Sequence, residues 1–346
     1  MKRLIGDKQF YKTLLLVAIP IMIQNGITNL AGMLDNIMVG RIGTNQMSGV
    51  AIINQMMIVF NVTVFGAVSG AGIFCAQYYG CKDYESVRNS FRYKMMVCLG
   101  VLITAILIFL CKGQALISLF LSETGNAADI QETLHYAWVY LLIMLTGLPA
   151  LAVEQVYSST LRETSETVLP MKAGIVSVFV NMMFNWVLIF GFLGFPALGV
   201  AGAAIATVIS RYVQAAIVVI WTHKHLVGDE SRPELFMTGV YSRLRVPGYL
   251  AGRITLKAFP LLLNEFLWAL GMAMLMQCYS VRGLQVVAGM NISNTIMNVF
   301  NVVYIALGNA IAIILGQLIA HRYTLRLEKM RGSERPPASR AFVVLC

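Results

Sequence analysis

The stretch from Pro20 to Gln77, PIMIQNGITNLAGMLDNIMVGRIGTNQMSGVAIINQMMIVFNVTVFGAVSGAGIFCAQ, decides the fold because the chain repeats it 240 positions later. The gapless offset keeps proline, glycine, asparagine and glutamine in register: Pro20 with Pro260, Gly43 with Gly283, Gly49 with Gly289, Asn54 with Asn294, and Gln77 with Gln317. The tetrapeptide Val-Phe-Asn-Val also recurs, at residues 59–62 and 299–302. Such an offset indicates two structural repeats. Both copies are strongly apolar, so each is predicted to form two membrane-spanning helices, with a substrate path between the halves, as is typical of duplicated transporters.

The composition excludes a water-soluble fold. Of the 346 residues, 58% are hydrophobic and 12% are charged, against roughly 25% charged in an average soluble domain. The net charge of +10 resides in loops between apolar stretches, where membrane topology explains it, so we expect no nucleic-acid partner. The six cysteines and four histidines lack disulfide or metal-ligand spacing. We therefore expect no cofactor and no metal, and the absence of a nucleophile or metal constellation argues against an enzyme.

Eight apolar stretches are long enough to cross a bilayer, which takes about 20 residues each. They are predicted at residues 13–39, 47–79, 95–111, 134–156, 168–192, 197–221, 258–279 and 285–320. Lysine and arginine collect on one side of these spans, and only Arg41, Lys112 and Arg282 fall on the other, which places both termini in the cytoplasm. We predict a six-helix lobe at 1–221, a cytoplasmic linker loop at 222–257, two helices of a second lobe at 258–320, and a basic tail at 321–346.

Three motifs carry a resemblance to a known family. They are the run Asp35-Asn36-Ile37-Met38-Val39-Gly40-Arg41-Ile42-Gly43, the glycine-rich passage from Asn181 through Gly194-Phe195-Pro196 to Thr207, and Leu263-Asn264-Glu265. With them the chain resembles the multidrug and toxic compound extrusion (MATE) family over residues 12–320. The resemblance implies an all-α polytopic membrane protein of two six-helix lobes, with about eight transmembrane helices in this sequence. It also implies an antiporter of the cytoplasmic membrane that exports organic cations against H⁺ or Na⁺, and we expect a monomer.

Two further functions stay open. Family members continue for four more spans, whereas residues 321–346 are arginine-rich, contain a Pro-Pro pair and hold no span. We expect either a truncated or frameshifted reading of a longer gene or a short form, so an inactive fragment is one alternative. The other is a lipid-linked oligosaccharide flippase of related architecture. Such a flippase is expected to have a strongly cationic cavity, and Arg211 is the one basic residue deep within a predicted span.

Asp35 and Glu265 are the two candidate carboxylates for ion coupling. An unpaired carboxylate in hydrocarbon costs about 2.5–3.5 kcal/mol on insertion scales, so it normally faces a cavity or a partner. Asp35 precedes Arg41 by six residues, about 9 Å along a helix, and the resemblance places a coupling carboxylate at its position. Alternatively, Asp35 reaches the outer surface or pairs with a neighbour. Glu265 resembles the span-seven glutamate of one branch of the family, and the alternative is a glutamate held neutral by a neighbouring helix.

Amide and hydroxyl side chains complete the predicted sites. Asn181 and Asn185 are four residues apart, so they share one helix face, and Thr207 is predicted to join them and Asp35 in an oxygen-rich cluster. The family often has an aspartate at position 185, and helix–helix hydrogen bonding is the equally open alternative. Six further amides are predicted to line a cavity or to pack between helices: Gln24, Asn25, Asn54, Asn61, Asn294 and Asn301.

Overall fold

The computed structural model describes residues 8–118, 127–192, 194, 196–228, 235–241, 246–280 and 284–331, with side chains given only at some positions beyond residue 261. This part of the chain is helical and contains no strand, which confirms the all-α prediction. The helices are α1 (Lys8–Gly40), α2 (Thr44–Gly80), α3 (Tyr84–Ser118), α4 (Ala127–Glu163), α5 (Val168–Phe190), α6 (Val200–Leu226), α7 (Gly248–Ser280) and α8 (Leu284–Arg331). Seven helical stretches of the described residues, α1 to α6 and Phe300–Arg322 of α8, are long and apolar enough to cross a membrane.

The helices extend beyond the apolar stretches that predicted them. The predicted linker loop at 222–257 is shorter than expected, because α6 continues to Leu226 and α7 begins at Gly248. The predicted tail likewise begins inside a helix, since α8 runs to Arg331. Hydropathy marks the segment that lies in hydrocarbon, whereas backbone hydrogen bonding continues into turns whose polar side chains reach water or a partner. The division into two lobes stays a prediction.

The connection between α5 and α6 is short and contains glycines with positive φ. Gly191 has a left-handed backbone (φ 76°) and donates its backbone N–H to the carbonyl of Val187 at the end of α5. Gly199, immediately before α6, also has a positive φ of 56°. Because residues with a Cβ rarely adopt this region, glycine lets the chain reverse here in a few residues. The turn holds α5 and α6 antiparallel, with Gly202 packed against the carbonyl of Leu188.

The repeated helices form the junction between the two predicted lobes. In α1, the buried side chains Leu14, Val17, Ala18 and Ile21 form a cluster with α8, where the partners are Ala306, Ala310, Ile313 and Ile314. Small residues allow close approach at two further points, where Gly70 of α2 meets Ala258 of α7 and Gly80 meets the backbone of Gln317. Close packing of small residues is a common way to join membrane helices. The α1–α2 and α7–α8 pairs therefore pack directly on one another.

The segment 235–241 between α6 and α7 docks on α3. Arg92 donates Nε to the carbonyl of Val240 at 2.7 Å and Nη2 to that of Gly239 at 2.8 Å. Phe236, Met237 and Val240 of the segment are buried against the helices. Arg92 lies just before the predicted third span (residues 95–111), but α3 begins earlier and buries it. The guanidinium is accommodated because backbone carbonyls accept its hydrogen bonds.

A buried ion pair joins α3 to α4. Lys94, which immediately precedes the predicted third span, is 0% exposed and pairs with Glu163. Its ammonium group also donates to the hydroxyls of Ser159 and Thr160, each at 3.2 Å. Charges are buried when paired and hydrogen-bonded, so the pair explains how lysine enters an apolar bundle.

Candidate functional site

Four predicted residues meet between α1, α5 and α6. The side-chain amide of Asn185 donates to the carboxylate of Asp35 and, at 3.1 Å, to Oδ1 of Asn181. Asn181 in turn donates Nδ2 to the hydroxyl oxygen of Thr207 at 3.3 Å. The Thr207 hydroxyl donates back to the carbonyl of Ala203 in its own helix at 3.0 Å. The structure thus brings together Asp35, Asn181, Asn185 and Thr207, and we refer to these four residues as the Asp35 cluster.

The Asp35 cluster contains an acceptor oxygen that receives no hydrogen bond. Asn185 is buried, and its Oδ1 atom has no hydrogen-bond partner. The amide protons of Asn185 are used on Asp35 and Asn181, and the Thr207 proton is used on backbone. A buried acceptor without a donor is unfavourable. A proton shared with a carboxylate, or a cation with oxygen ligands such as Na⁺, would satisfy the acceptors left in this cluster.

A cavity of about 660 Å³ lies where the repeated helices face α4 and α6. Most of its lining is amide, hydroxyl or apolar, and the described lining from α1 and α2 is Gln24, Asn25, Thr28, Asn29, Asn61, Val62 and Phe65. From α7 and α8 it receives Trp268, Asn301, Val302, Ile305 and Asn309. The volume falls in the range of ligand-binding cavities, about 300–1,000 Å³.

The repeat offset recurs in the cavity wall. Asn61 and Asn301 are equivalent under the 240-residue offset, and both line the cavity. Two neighbouring equivalent pairs do the same, Val62 with Val302 and Phe65 with Ile305. Helices α2 and α8 therefore present corresponding faces to one space, as inverted or duplicated halves do around a central site.

Three charged residues of the described cavity wall belong to α4 and α6. They are Glu154 and Arg162 of α4 and Arg211 of α6. Glu154 is buried and accepts hydrogen bonds at Oε1 from Ser158 at 2.6 Å and from Gln214 at 3.0 Å. The sequence reasoning missed Glu154 as a site residue, although it lies inside the predicted fourth span and has Ser158 one helical turn away.

The remaining predicted residues divide into three groups. Gln24, Asn25, Asn61 and Asn301 lie in the cavity wall. Asn54 is half-buried in α2 and is not among the described residues that line this cavity. Glu265 lies in α7 and Asn294 in α8, but both side chains fall outside the described residues. The functional roles of all these residues stay predictions.

Comparison with known proteins identifies related sequences and structures. The MatE family model matches residues 20–187. A probable multidrug resistance protein NorM of Thermotoga maritima is 32% identical over 208 residues, 60% of this chain and 43% of the relative. A probable multidrug resistance protein YoeA of Bacillus subtilis is 23% identical over 323 residues, 92% of this chain and 67% of the relative. A variant of the Vibrio cholerae MATE transporter VcmN superposes with a TM-score of 0.77 at 17% identity, covering 96% of this chain and 70% of that structure.

The chain spans part of the length of these relatives. It covers 43% of the Thermotoga protein and 67% of the Bacillus protein. The sequence matches and the apolar helices together describe a multi-pass membrane protein.

Proposed function

We propose that this protein carries out ion-coupled export of organic cations, drugs and toxic compounds across the cytoplasmic membrane. The MatE family model, which matches residues 20–187, and the likeness of the described helices to the fold of a solved MATE transporter support the proposal. The coupling ion is H⁺ or Na⁺, and Asp35 is the residue that binds it. The names of the relatives, which are multidrug resistance proteins, support export as the activity.

One observation carries the proposal: the carboxylate of Asp35 lies against a buried amide whose own oxygen has no partner. A proton or Na⁺ bound there neutralises Asp35 and gives the Asn185 oxygen a donor or a metal contact. Release of the ion restores the negative charge. The two states differ in charge and in hydrogen bonding, so they can favour different arrangements of α1 against α5, which is what coupling requires.

The cavity wall and the Asp35 cluster share helices, so ion binding at Asp35 can affect a compound in the cavity. Thr207 of the Asp35 cluster and Arg211 of the cavity wall are one turn apart on α6, about 6 Å along the helix axis. Asn25 and Asp35 likewise share α1. A cationic compound in the cavity and an ion at Asp35 therefore act on the same helices. Electrostatic repulsion between the two cations disfavours their simultaneous binding, and the ion gradient then sets the direction of exchange.

Transport of ethidium, a fluorescent organic cation, by purified protein in proteoliposomes tests the proposal. We expect uptake when a pH gradient or a Na⁺ gradient is imposed, and the gradient that supports it identifies the coupling ion. Asp35→Asn is nearly isosteric and cannot ionise, so it should lower gradient-driven uptake by at least tenfold, about 1.4 kcal/mol in the barrier.

The matched control is Glu85→Gln, which removes an exposed carboxylate in the first turn of α3. It should transport at the parental rate. If Asp35→Asn transports at that rate with the same gradient dependence, Asp35 is not the coupling residue. If the unaltered protein shows no gradient-driven uptake, the export proposal itself fails.

A further inference from the structure

The charged residues of the described cavity lining do not match a site for cations alone. Among the described lining residues, Arg162 and Arg211 are cationic and Glu154 is anionic. Glu154 is near enough to both arginines for their charges to act on it. The described wall therefore carries an excess of one positive charge, whereas a site for simple organic cations calls for the opposite sign.

Arg211 has unused capacity to bind an anion. Its Nη1 atom is buried without a hydrogen-bond partner. In the part of the chain that the structure describes, Lys94 with Glu163 is the ion pair within 4.0 Å, so Arg211 has no carboxylate in direct contact there. A guanidinium presents paired donors that match a carboxylate or phosphonate. An incoming acidic group would satisfy the buried donor that the protein leaves unpaired.

Glu154 does not fill this role. Its Oε1 atom accepts hydrogen bonds from Ser158 of the same helix, α4, and from Gln214 of α6. These two bonds hold the Glu154 carboxylate in place. Arg162 is also held, because its Nε atom donates to the carbonyl of Ser158 at 3.1 Å. Among these three charged residues, Arg211 is the one described with a buried donor that has no partner.

We propose that Arg211 forms an anion-binding subsite in this cavity, so that the compounds bound carry a carboxylate or a similar acidic group beside their amine. The inference rests on the proposed function and narrows its substrate class from organic cations to amphoteric compounds. The acidic group pairs with Arg211, and the amine lies toward the Asp35 cluster, whose Thr207 is one helical turn from Arg211 on α6.

Two dansyl compounds that differ by one carboxylate test the subsite. Dansylcadaverine has an amine at the end of a five-carbon chain, and Nε-dansyl-lysine has the same chain with a carboxylate on the carbon that bears the amine. Binding to the purified protein in detergent is followed by dansyl fluorescence, so no transport is needed. We expect Nε-dansyl-lysine to bind at least tenfold more tightly, about 1.4 kcal/mol.

Substitution then assigns the preference to Arg211. Arg211→Gln should bring the ratio of the two affinities to about one while changing that of dansylcadaverine little, and Arg211→Lys should retain part of the preference, since lysine keeps the charge without the fork geometry. Glu154→Gln should raise the affinity for Nε-dansyl-lysine because it removes the competing anion. Arg41→Gln, which removes an exposed arginine from the α1–α2 turn, is the matched control and should keep the parental ratio.

Three results would overturn the subsite: equal affinities in the unaltered protein, failure of both compounds to bind, or a preference that survives Arg211→Gln. Size-exclusion elution at the parental volume shows that each variant is folded. The outcome is separable from that of the ethidium experiment, because a carboxylate preference can hold or fail whatever Asp35→Asn does to transport.

Discussion

We predict that the ion pair between Lys94 of α3 and Glu163 of α4 contributes strongly to the stability of the protein. The Lys94 side chain is 0% exposed, and its other described partners are hydroxyls of Ser159 and Thr160 at 3.2 Å. Glu163→Gln leaves this ammonium group buried with neutral partners only. Removing one member of a buried pair costs about 3–5 kcal/mol, out of a total stability of roughly 5–15 kcal/mol. A loss of that size should be plain in thermal unfolding.

Thermal unfolding can be followed by the labelling of two buried cysteines. Cys75 and Cys98 are 0% and 1% exposed, and both lie near enough to Lys94 to feel its charge. A thiol-reactive fluorogenic dye should label them only as the bundle opens, in a background where the other four cysteines, Cys81, Cys111, Cys278 and Cys346, are replaced by serine. At about 2–4 °C per kcal/mol, the midpoint should fall by roughly 6–20 °C.

A double variant separates charge from packing. Lys94→Met with Glu163→Leu removes both charges and keeps apolar volume, and replacing a buried pair in this way is often neutral or stabilising. Its midpoint should return to within a few degrees of the parental value. The reasoning is refuted if Glu163→Gln shifts the midpoint by less than ~2 °C, or if the double variant is as unstable as the single one.

Two further predictions concern packing and topology. A Cβ at Gly202 would lie 2.5 Å from the carbonyl oxygen of Leu188, so Gly202→Val should lower the free energy of unfolding by about 1–3 kcal/mol in the same assay. The control is Gly100→Ala, whose Cβ would meet nothing within 4 Å and which should leave stability unchanged. Equal effects of the two substitutions would contradict the predicted clash. In a cysteine-free background in intact cells, a cysteine placed at Arg41 should react with an impermeant maleimide and one at Lys82 should not, since the basic loops are predicted to be cytoplasmic; the reverse pattern would invert the topology.

The sequence by itself determined the helices and much of the Asp35 cluster, because both depend on regularities along the chain. Asn181 and Asn185 share a face through helical periodicity alone. The 240-residue offset predicted that Asn61 and Asn301 would be equivalent, and both line the cavity. Periodicity could not supply the length of the helices beyond hydrocarbon, so the predicted third span began at residue 95 and left out Lys94, which α3 buries.

Only the tertiary structure decided how the charges are distributed. Glu154 and Arg211 are almost sixty residues apart in the sequence and lie on different helices. Lys94 and Glu163 are separated by a similar number of residues. Hydropathy treats each such residue as a local cost, because it has no information about the partner that another helix will bring. Helix packing sets which charges are paired and which keep a free donor. That is the physical reason why the buried ion pair and the arginine-lined side of the cavity were found in the structure and not in the sequence.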